Sequence, residues 1–400
     1  MRLPGARHLG HLTYCTNIHA GETWPEVLAG LETHLPAIKA AVTPEAPLGV
    51  GLRLSATAAE ALDEPAAFAA FREFLEAGGY YVFTINGFPY GTFHGQPVKE
   101  GAYRPDWSDP ARLAYSNRLA DLLARLLPEG LTGSVSTVPG TFKPWIAGEA
   151  TIAAIVHNLV EHAAHLVALE ARGGKRIVLA LEPEPYCLLE TIAETVEFFQ
   201  TRLFGEQAVR QLAARSGLNG AAAEAALRRH LGVCYDVCHA AVEFEDPRTS
   251  IAALRAAGIE IAKVQLSSAL RIRNLDSAAT RRLRPFDEPV YLHQVVARGG
   301  NGALERFLDL PEALARAEEN FGKEWRIHFH VPIFLEQLEA FSTTQDFLRE
   351  VLALHREDPV TEQLEVETYT WDVLPPAQRE VAVSAAIARE LNWVRDQLAL

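Results

Sequence analysis

The sequence predicts an α/β chain closed as a (β/α)8 TIM barrel, on three observations. Short β-branched or aromatic runs alternate with helix-periodic segments over the whole length. The runs are almost continuously apolar, which suits strands covered on both faces, as in a parallel sheet. Polar residues stand at the carboxyl ends of several different runs, where a barrel keeps its chemistry. An open doubly wound sheet shares the alternation, but it usually carries a glycine-rich phosphate loop after its first strand. Here the first strand ends Thr16-Asn17-Ile18-His19-Ala20-Gly21-Glu22, without that fingerprint.

Strands are expected at 12–18, 49–54, 80–85, 133–138, 176–181, 232–237, 261–266, 325–331 and 364–370. That is one more than a barrel needs, and 325–331 is the expected decoration. Between them, Trp24, Val27, Leu28, Leu31, Leu35 and Ile38 recur at helical spacing. So do Leu113, Leu119, Leu122, Leu123 and Leu126, and then Ile152, Ile155, Leu159, Val160, Ala163 and Leu166. Asp246-Pro247 and Thr343-Thr344-Gln345-Asp346 read as helix starts. No linker rich in Pro, Gly or Ser divides the chain, so residues 1–400 are expected to form a single domain. The segment at about 267–322 is too long for a plain crossover and is expected to be an insertion after strand 7, over the barrel mouth. A long helix is expected after Pro375-Pro376.

The composition narrows the function. Apolar residues make up 48 % and charged residues 22 % of 400, enough for a large core. Lys and Arg number 37 against 51 Asp and Glu, a net charge of −14, which argues against a nucleic-acid partner. No run reaches the roughly 18 uninterrupted apolar residues of a membrane helix. The most apolar stretch, 151–170, is broken by His157, Asn158, Glu161, His162 and His165, and its pattern is not HExxH. No signal-peptide run opens the chain. Cys15, Cys187, Cys234 and Cys238 stand singly, so a reduced, cytoplasmic protein, not embedded in a membrane, is expected.

The strand ends carry the chemistry. The fifth ends ALEPEP, with Glu182 and Glu184 following an apolar run directly. The sixth ends VCYDVCH: Asp236 interrupts an apolar run, and His239 follows three residues later. Cys234 and Cys238 flank that aspartate and read either as packing or as zinc thiolates. The seventh reads IAKVQLSSALR, placing Lys263 and Gln265 on one face with Arg271 beyond. A glutamine oxygen suits Mn2+ or Mg2+ better than zinc. In the last strand Glu365 and Glu367 share a face, and one of them is expected to point inward. His328-Phe329-His330 puts two imidazoles on one face, either as metal ligands or as hydrogen-bonding partners. Four oxygen donors at successive strand ends, Glu182, Asp236, Gln265 and Glu367, describe a divalent metal site, with His239 and His330 beside it. Mn2+ or Mg2+ suits the oxygens; the histidines admit Zn2+.

This constellation resembles the xylose isomerase-like barrels, which hold a divalent ion with Glu, Asp, His or Gln, and Glu from late strands. The resemblance implies Glu182, Asp236, Gln265 and Glu367 as ligands, with His330 competing for the third place. It implies His239 as a substrate-side histidine, Arg271 as a substrate contact, and Glu182 and Glu367 as the acid/base pair. Over nearly the whole chain, segments such as HLTYCTNIHAGETW, YVFTINGFPYGTFHG, YDVCHAAVEFE, RIHFHVPIF and ETYTW are similar to the EboE family of metabolite traffic proteins. That family is encoded with a putative membrane prenyltransferase, to which the similarity implies a functional link.

Loops after the early strands add expected substrate contacts: His19, Asn86 and Lys143, together with Lys263 and Arg271. Asn17, Glu22, Trp24, Tyr90, His94 and Trp145 cluster at the same end. Arg273, Arg281, Arg282 and Arg284 read as a basic loop within the insertion. The expectation is a metal-dependent isomerase or epimerase, catalytic through Glu182, Glu367 and His239, acting on a small polyol-like or phosphorylated metabolite. Its rival is a non-catalytic carrier serving the membrane enzyme. A nuclease of the same superfamily fits poorly with the negative charge.

Overall fold

The computed structural model describes residues 1–4, 8–338, 340–370 and 382–399. Trp371 and Pro375-Pro376 therefore lie outside the described residues, whereas the closing helix, Val383–Ala399, lies within them. Eight strands pair in parallel in the order β1 (His11–Tyr14), β14 (Gln363–Val366), β7 (Glu260–Leu266), β6 (Leu231–Asp236), β5 (Ile177–Leu181), β4 (Gly133–Thr137), β3 (Tyr80–Asn86) and β2 (Leu48–Arg53). A parallel bridge between Cys15 and Gly51 joins the two ends of the row and closes the ring. The chain is a (β/α)8 barrel.

A second sheet of six antiparallel strands is inserted between β7 and β14. Its order is β10 (Leu304–Phe307), β9 (Val295–Arg298), β11 (Glu324–Ile327), β8 (Leu270–Ile272), β13 (Phe341–Thr343) and β12 (Gln337–Leu338). The strand expected at 325–331 is its β11 and ends at Ile327, outside the barrel. The insertion runs past residue 322, because β11 and β13 both pair with β8. The segment through Thr343 therefore belongs to the same sheet.

Helices cover the ring. Asp246 caps helix Pro247–Ala256, its side chain accepting from the Thr249 N–H, and helix Gln345–Glu357 begins where Thr344 precedes it. Among the described residues, helix Glu149–Gly173 alone is long and apolar enough to cross a membrane. It is a wall of the barrel: Ile155, Leu159, Ala163 and Leu166 are buried in the core, and Asn158 donates to the Trp107 carbonyl at 2.9 Å.

Strand alternation sorts the barrel interior into layers. Leu364 and Val366 face the helices, leaving Gln363, Glu365 and Glu367 to face inward. The first layer joins Thr84, Ser134 and Gln363 by hydrogen bonds of 2.8 and 2.6 Å. The next pairs Lys263 with Glu365 at 3.0 Å, both fully buried, with Ser136 at 3.3 Å from the ammonium. A small apolar cluster of Val178, Ala180, Cys234 and Ala262 fills the remainder, which gives Cys234 the packing role. Both glutamates of the last strand thus point inward, two residues apart, where one was expected. The inward lysine supplies the charge that lets Glu365 stay there.

Gly51 makes room for that carboxylate. A Cβ at this position would approach Glu365 Oε2 and lie 2.6 Å from the Tyr14 carbonyl. Gly51→Ala is expected to destabilise the protein by about 1–3 kcal/mol through overpacking. Urea unfolding measures it, and an unchanged midpoint would contradict the account.

Candidate functional site

The carboxyl ends of β5, β6 and β14 meet at one point. The Glu182 N–H donates to the Thr137 carbonyl at 3.1 Å, which carries the β4–β5 ladder one residue further and turns this side chain inward. Asp236 ends β6; its Oδ1 accepts from the His239 N–H at 3.0 Å and from the Ser267 hydroxyl at 2.8 Å. Glu367 follows β14, held by its own N–H on the Leu266 carbonyl at 3.1 Å. Its Oε1 accepts amide protons from Asn17 at 2.7 Å and Asn86 at 3.1 Å. One carboxylate oxygen each from Glu182, Asp236 and Glu367 lies within 4.8 Å of the others, all buried.

The insertion adds His330 to this group. Its Nδ1 lies 3.0 Å from the Glu367 carbonyl, which can only accept, so the ring proton sits there. The Nε2 lone pair is left bare, 3.9 Å from Asp236 Oδ2. Glu182 Oε2, Asp236 Oδ2 and His330 Nε2 are all buried with no hydrogen-bond partner. Three acceptors without donors, in a nest of negative charge, are costly unless a cation joins them. A histidine with one nitrogen pinned by a carbonyl and the other bare is the usual form of a metal ligand. The residues present fit a divalent ion held by Glu182, Asp236, Glu367 and His330.

The proton affinities agree. Burial, reinforced by the charge of Asp236, pushes the Glu182 carboxyl up to about 8. Burial, with Glu182 and Asp236 nearby, drives Glu367 well above the usual carboxylate range. Burial also works against ionising Asp236, but His239, His330 and the two hydrogen bonds outweigh it and hold its carboxyl low. Burial lowers His330 to about 4, which keeps the ring neutral.

A stability prediction follows with a definite sign. The raised folded pKa of Glu182, about 8 against 4.5, gives a contribution that is complete below about 4.5 and lost as the pH rises through 8. Glu367 acts in the same direction. With chelator present, the melting temperature is expected to fall between pH 6.5 and 8, and Glu182→Gln is expected to flatten the slope. A wild-type melting temperature that stays level over that range would contradict this.

Of the other expected site residues, only Asn86 among those expected as substrate contacts touches this group. Gln265 belongs to the layer below, where its amide nitrogen donates to Glu365 at 3.3 Å. Lys263 is sealed in that layer against Glu365. Asn86 positions Glu367 and also reaches the Cys15 sulfur at 3.4 Å. His19 bonds the Tyr14 hydroxyl at 3.0 Å and stacks on His34, because the turn at Thr16–Ile18 directs it toward helix Trp24–Val42. Lys143 is held by Glu190 and Glu194, which follow β5, at 2.5 and 3.0 Å. Arg271 pairs with Glu324 and Asp346, both at 2.7 Å, because β8 carries it into the inserted sheet. Glu22 anchors the loop after β3 by accepting from the Phe93 N–H at 2.6 Å and by pairing with Arg53.

The polar lining of the cavity at the carboxylates includes Asn17, Glu182, Glu184, His239, His328 and His330. Its aromatic lining is Phe88, Phe93, Tyr103, Tyr291 and Tyr369. Glu184 and His328 were legible as the partners of Glu182 and His330 in the EPEP and HFH motifs, but spacing alone favoured those partners. Tyr103 and Gln294 carried no sequence signal; they reach the site only through the folded loop and the inserted sheet.

No family model matches the chain, and no curated protein matches it. The similarity to the EboE family therefore rests on the sequence motifs alone. Among solved structures, the chain is similar to L-ribulose 3-epimerase, at 12% identity and a TM-score of 0.48, covering 97% of this chain and 94% of that one. It is similar to a D-tagatose 3-epimerase-like protein at 11% identity and a TM-score of 0.48, covering 98% and 100%. The probable 3-DHS dehydratase AsbF from Bacillus anthracis gives 13% identity and a TM-score of 0.44, covering 96% and 97%. The assignment to the (β/α)8 class stands on the closed ring of eight parallel strands.

Proposed function

We propose that the chain is a divalent-metal-dependent isomerase or epimerase acting on a small polyol-like metabolite, of the xylose isomerase-like kind. The observation that carries this reading is the meeting of Glu182, Asp236 and Glu367 with the bare His330 nitrogen in a buried pocket. Three carboxylates and one imidazole suit Mn2+ or Mg2+ and admit Zn2+. Such an ion would polarise a carbonyl or hydroxyl of the substrate. His330 takes the third ligand place in this reading, because its unpartnered nitrogen lies 3.9 Å from Asp236 Oδ2; the Gln265 oxygen is unpartnered too, but the amide nitrogen ties that side chain to Glu365 in the layer below.

The chain's own groups then supply the proton chemistry. Glu182 keeps one carboxylate oxygen free of hydrogen bonds and acts as the base that takes a proton from carbon. Glu367, oriented by Asn17 and Asn86, holds the proton on the opposite side. Two neighbouring buried carboxyl groups whose pKa values are raised suit proton transfer near neutral pH. His239, pinned by the Pro183 carbonyl at 2.9 Å, faces the same cavity. Lys99 lines the cavity too, but its ammonium is taken by Asp309 at 2.6 Å and by the carbonyls of Glu288 and Tyr291. This favours a substrate without phosphate.

A cytoplasmic location suits four free, buried cysteines. The functional link to a membrane prenyltransferase rests on the EboE similarity alone.

The test is incubation with a panel of ketoses and cyclic hydroxyketones in D2O with Mn2+. Deuterium entering the carbon next to the carbonyl, and its loss in Glu182→Gln at unchanged fold, is the expected result. Saturable ligand binding without exchange across the panel would overturn catalysis in favour of the carrier.

A further inference from the structure

We propose that Glu184, His239 and His328 hold a second divalent cation beside the first site. His239 Nδ1 lies 2.9 Å from the Pro183 carbonyl, an acceptor only, so Nδ1 carries the ring proton. His328 Nδ1 lies 2.7 Å from Gln294 Oε1. The orientation of that amide is set at its other end, where Nε2 donates to the Pro185 carbonyl at 3.2 Å and to the Tyr103 hydroxyl oxygen at 3.0 Å. Both rings are therefore protonated on Nδ1, and the two Nε2 lone pairs face each other at 3.1 Å, with the Tyr369 hydroxyl 3.3 Å from His328 Nε2 as the O–H a cation would displace or share the nitrogen with. Two lone pairs at that separation repel unless a positive charge lies between or beside them.

Glu184 supplies the third donor. Its Oε1 accepts from the Tyr103 hydroxyl at 2.7 Å, while its Oε2 is buried with no hydrogen-bond partner. One ligand atom from each of Glu184, His239 and His328 lies within 4.8 Å of the others, and all three residues are buried. Every non-ligating position in the group is already filled: Pro183 and Gln294 orient the rings, and Tyr103 orients the carboxylate. That is the arrangement of a prepared metal site, in which outer hydrogen bonds fix the ligand tautomers.

Two imidazoles and one carboxylate, opening on the cavity, form a donor set that zinc accepts with a fourth place free for water or substrate. The first site, with three carboxylates, is harder. The two sites therefore differ in preference: Zn2+ or Co2+ at the histidines, Mn2+ or Mg2+ at the carboxylates. His328 comes from the insertion and Glu184 from the second glutamate of EPEP, so this site depends on features outside the four-ligand pattern. His239 becomes a ligand in this arrangement.

The measurement is metal content per chain after loading with Zn2+ and gel filtration, with the visible spectrum of the Co2+-loaded protein as a second readout. The wild type is expected to hold two ions. His328→Ala and Glu184→Gln are each expected to hold one and to lose part of the Co2+ absorption. Glu182→Gln is expected to keep the ion at the histidines. A wild type holding one ion, retained in His328→Ala and Glu184→Gln but lost in Glu182→Gln, would leave the first site standing and overturn the second; a shared proton would then bridge the imidazoles. One ion lost in His328→Ala and kept in Glu182→Gln would do the reverse. Glu184→Gln preserves shape and hydrogen bonding, so it decides the matter if His328→Ala fails to fold.

Discussion

Asp236→Asn is expected to weaken Mn2+ binding by about 100-fold or more, since even residues that merely orient ligands give 10- to 100-fold. The substitution leaves the local structure in place. An asparagine Oδ1 still accepts the His239 N–H and the Ser267 hydroxyl that now bind the aspartate at 3.0 and 2.8 Å. What it removes is the ionised oxygen facing His330, together with one charge from a buried group that also contains Glu182 and Glu367. The metal-free variant is therefore expected to melt no lower than the wild type at pH 8, while its metal-induced gain in stability disappears. Titration with Mn2+, followed by calorimetry or by the signal of free Mn2+, measures the first effect. Wild-type affinity in the variant would place the ion elsewhere.

Lys263→Met is expected to have the largest effect on stability, about 3–5 kcal/mol, because it leaves a buried carboxylate without its counter-charge. Lys263 and Glu365 pair at 3.0 Å and are both fully buried. Burial works against the ammonium, yet Glu365 outweighs it and keeps the lysine pKa above its ordinary value. The double variant Lys263→Met with Glu365→Leu is expected to recover most of the loss, since replacing a whole buried pair is often neutral. Urea unfolding of both variants checks this. A single variant within about 1 kcal/mol of wild type, the range of an exposed ion pair, would mean that the pair is not sealed as described.

The barrel was legible because its signal is local. Each strand shows a short apolar run and each inward ligand a polar interruption of that run, as at Glu182, Asp236 and Glu367. Strand alternation alone places these three at one end of the ring. Failures came where position depends on the path of the chain beyond the strand. Lys143 and His19 follow strands closely in sequence, but short turns bring Lys143 to Glu190 and Glu194 and His19 to Tyr14 and His34. Arg271 stands five residues past Leu266, and β8 takes it into a separate sheet. The roles of His328 and His330 could not be weighed from the HFH spacing, because the antiparallel insertion that returns them over the barrel is a long-range pairing with β8 and β9. Gln265 looked like Asp236 in sequence, an inward polar residue late in a strand; the two are in register, yet its amide nitrogen bonds Glu365 in the layer below.

A crystal structure of the Mn2+-loaded protein, with anomalous data collected at the manganese edge, tests the central claim most directly. The account predicts a peak coordinated by Glu182, Asp236, Glu367 and His330 Nε2, with Gln265 still bonded to Glu365. A peak held by other side chains, or four side chains that remain apart while the ion binds elsewhere, would contradict it.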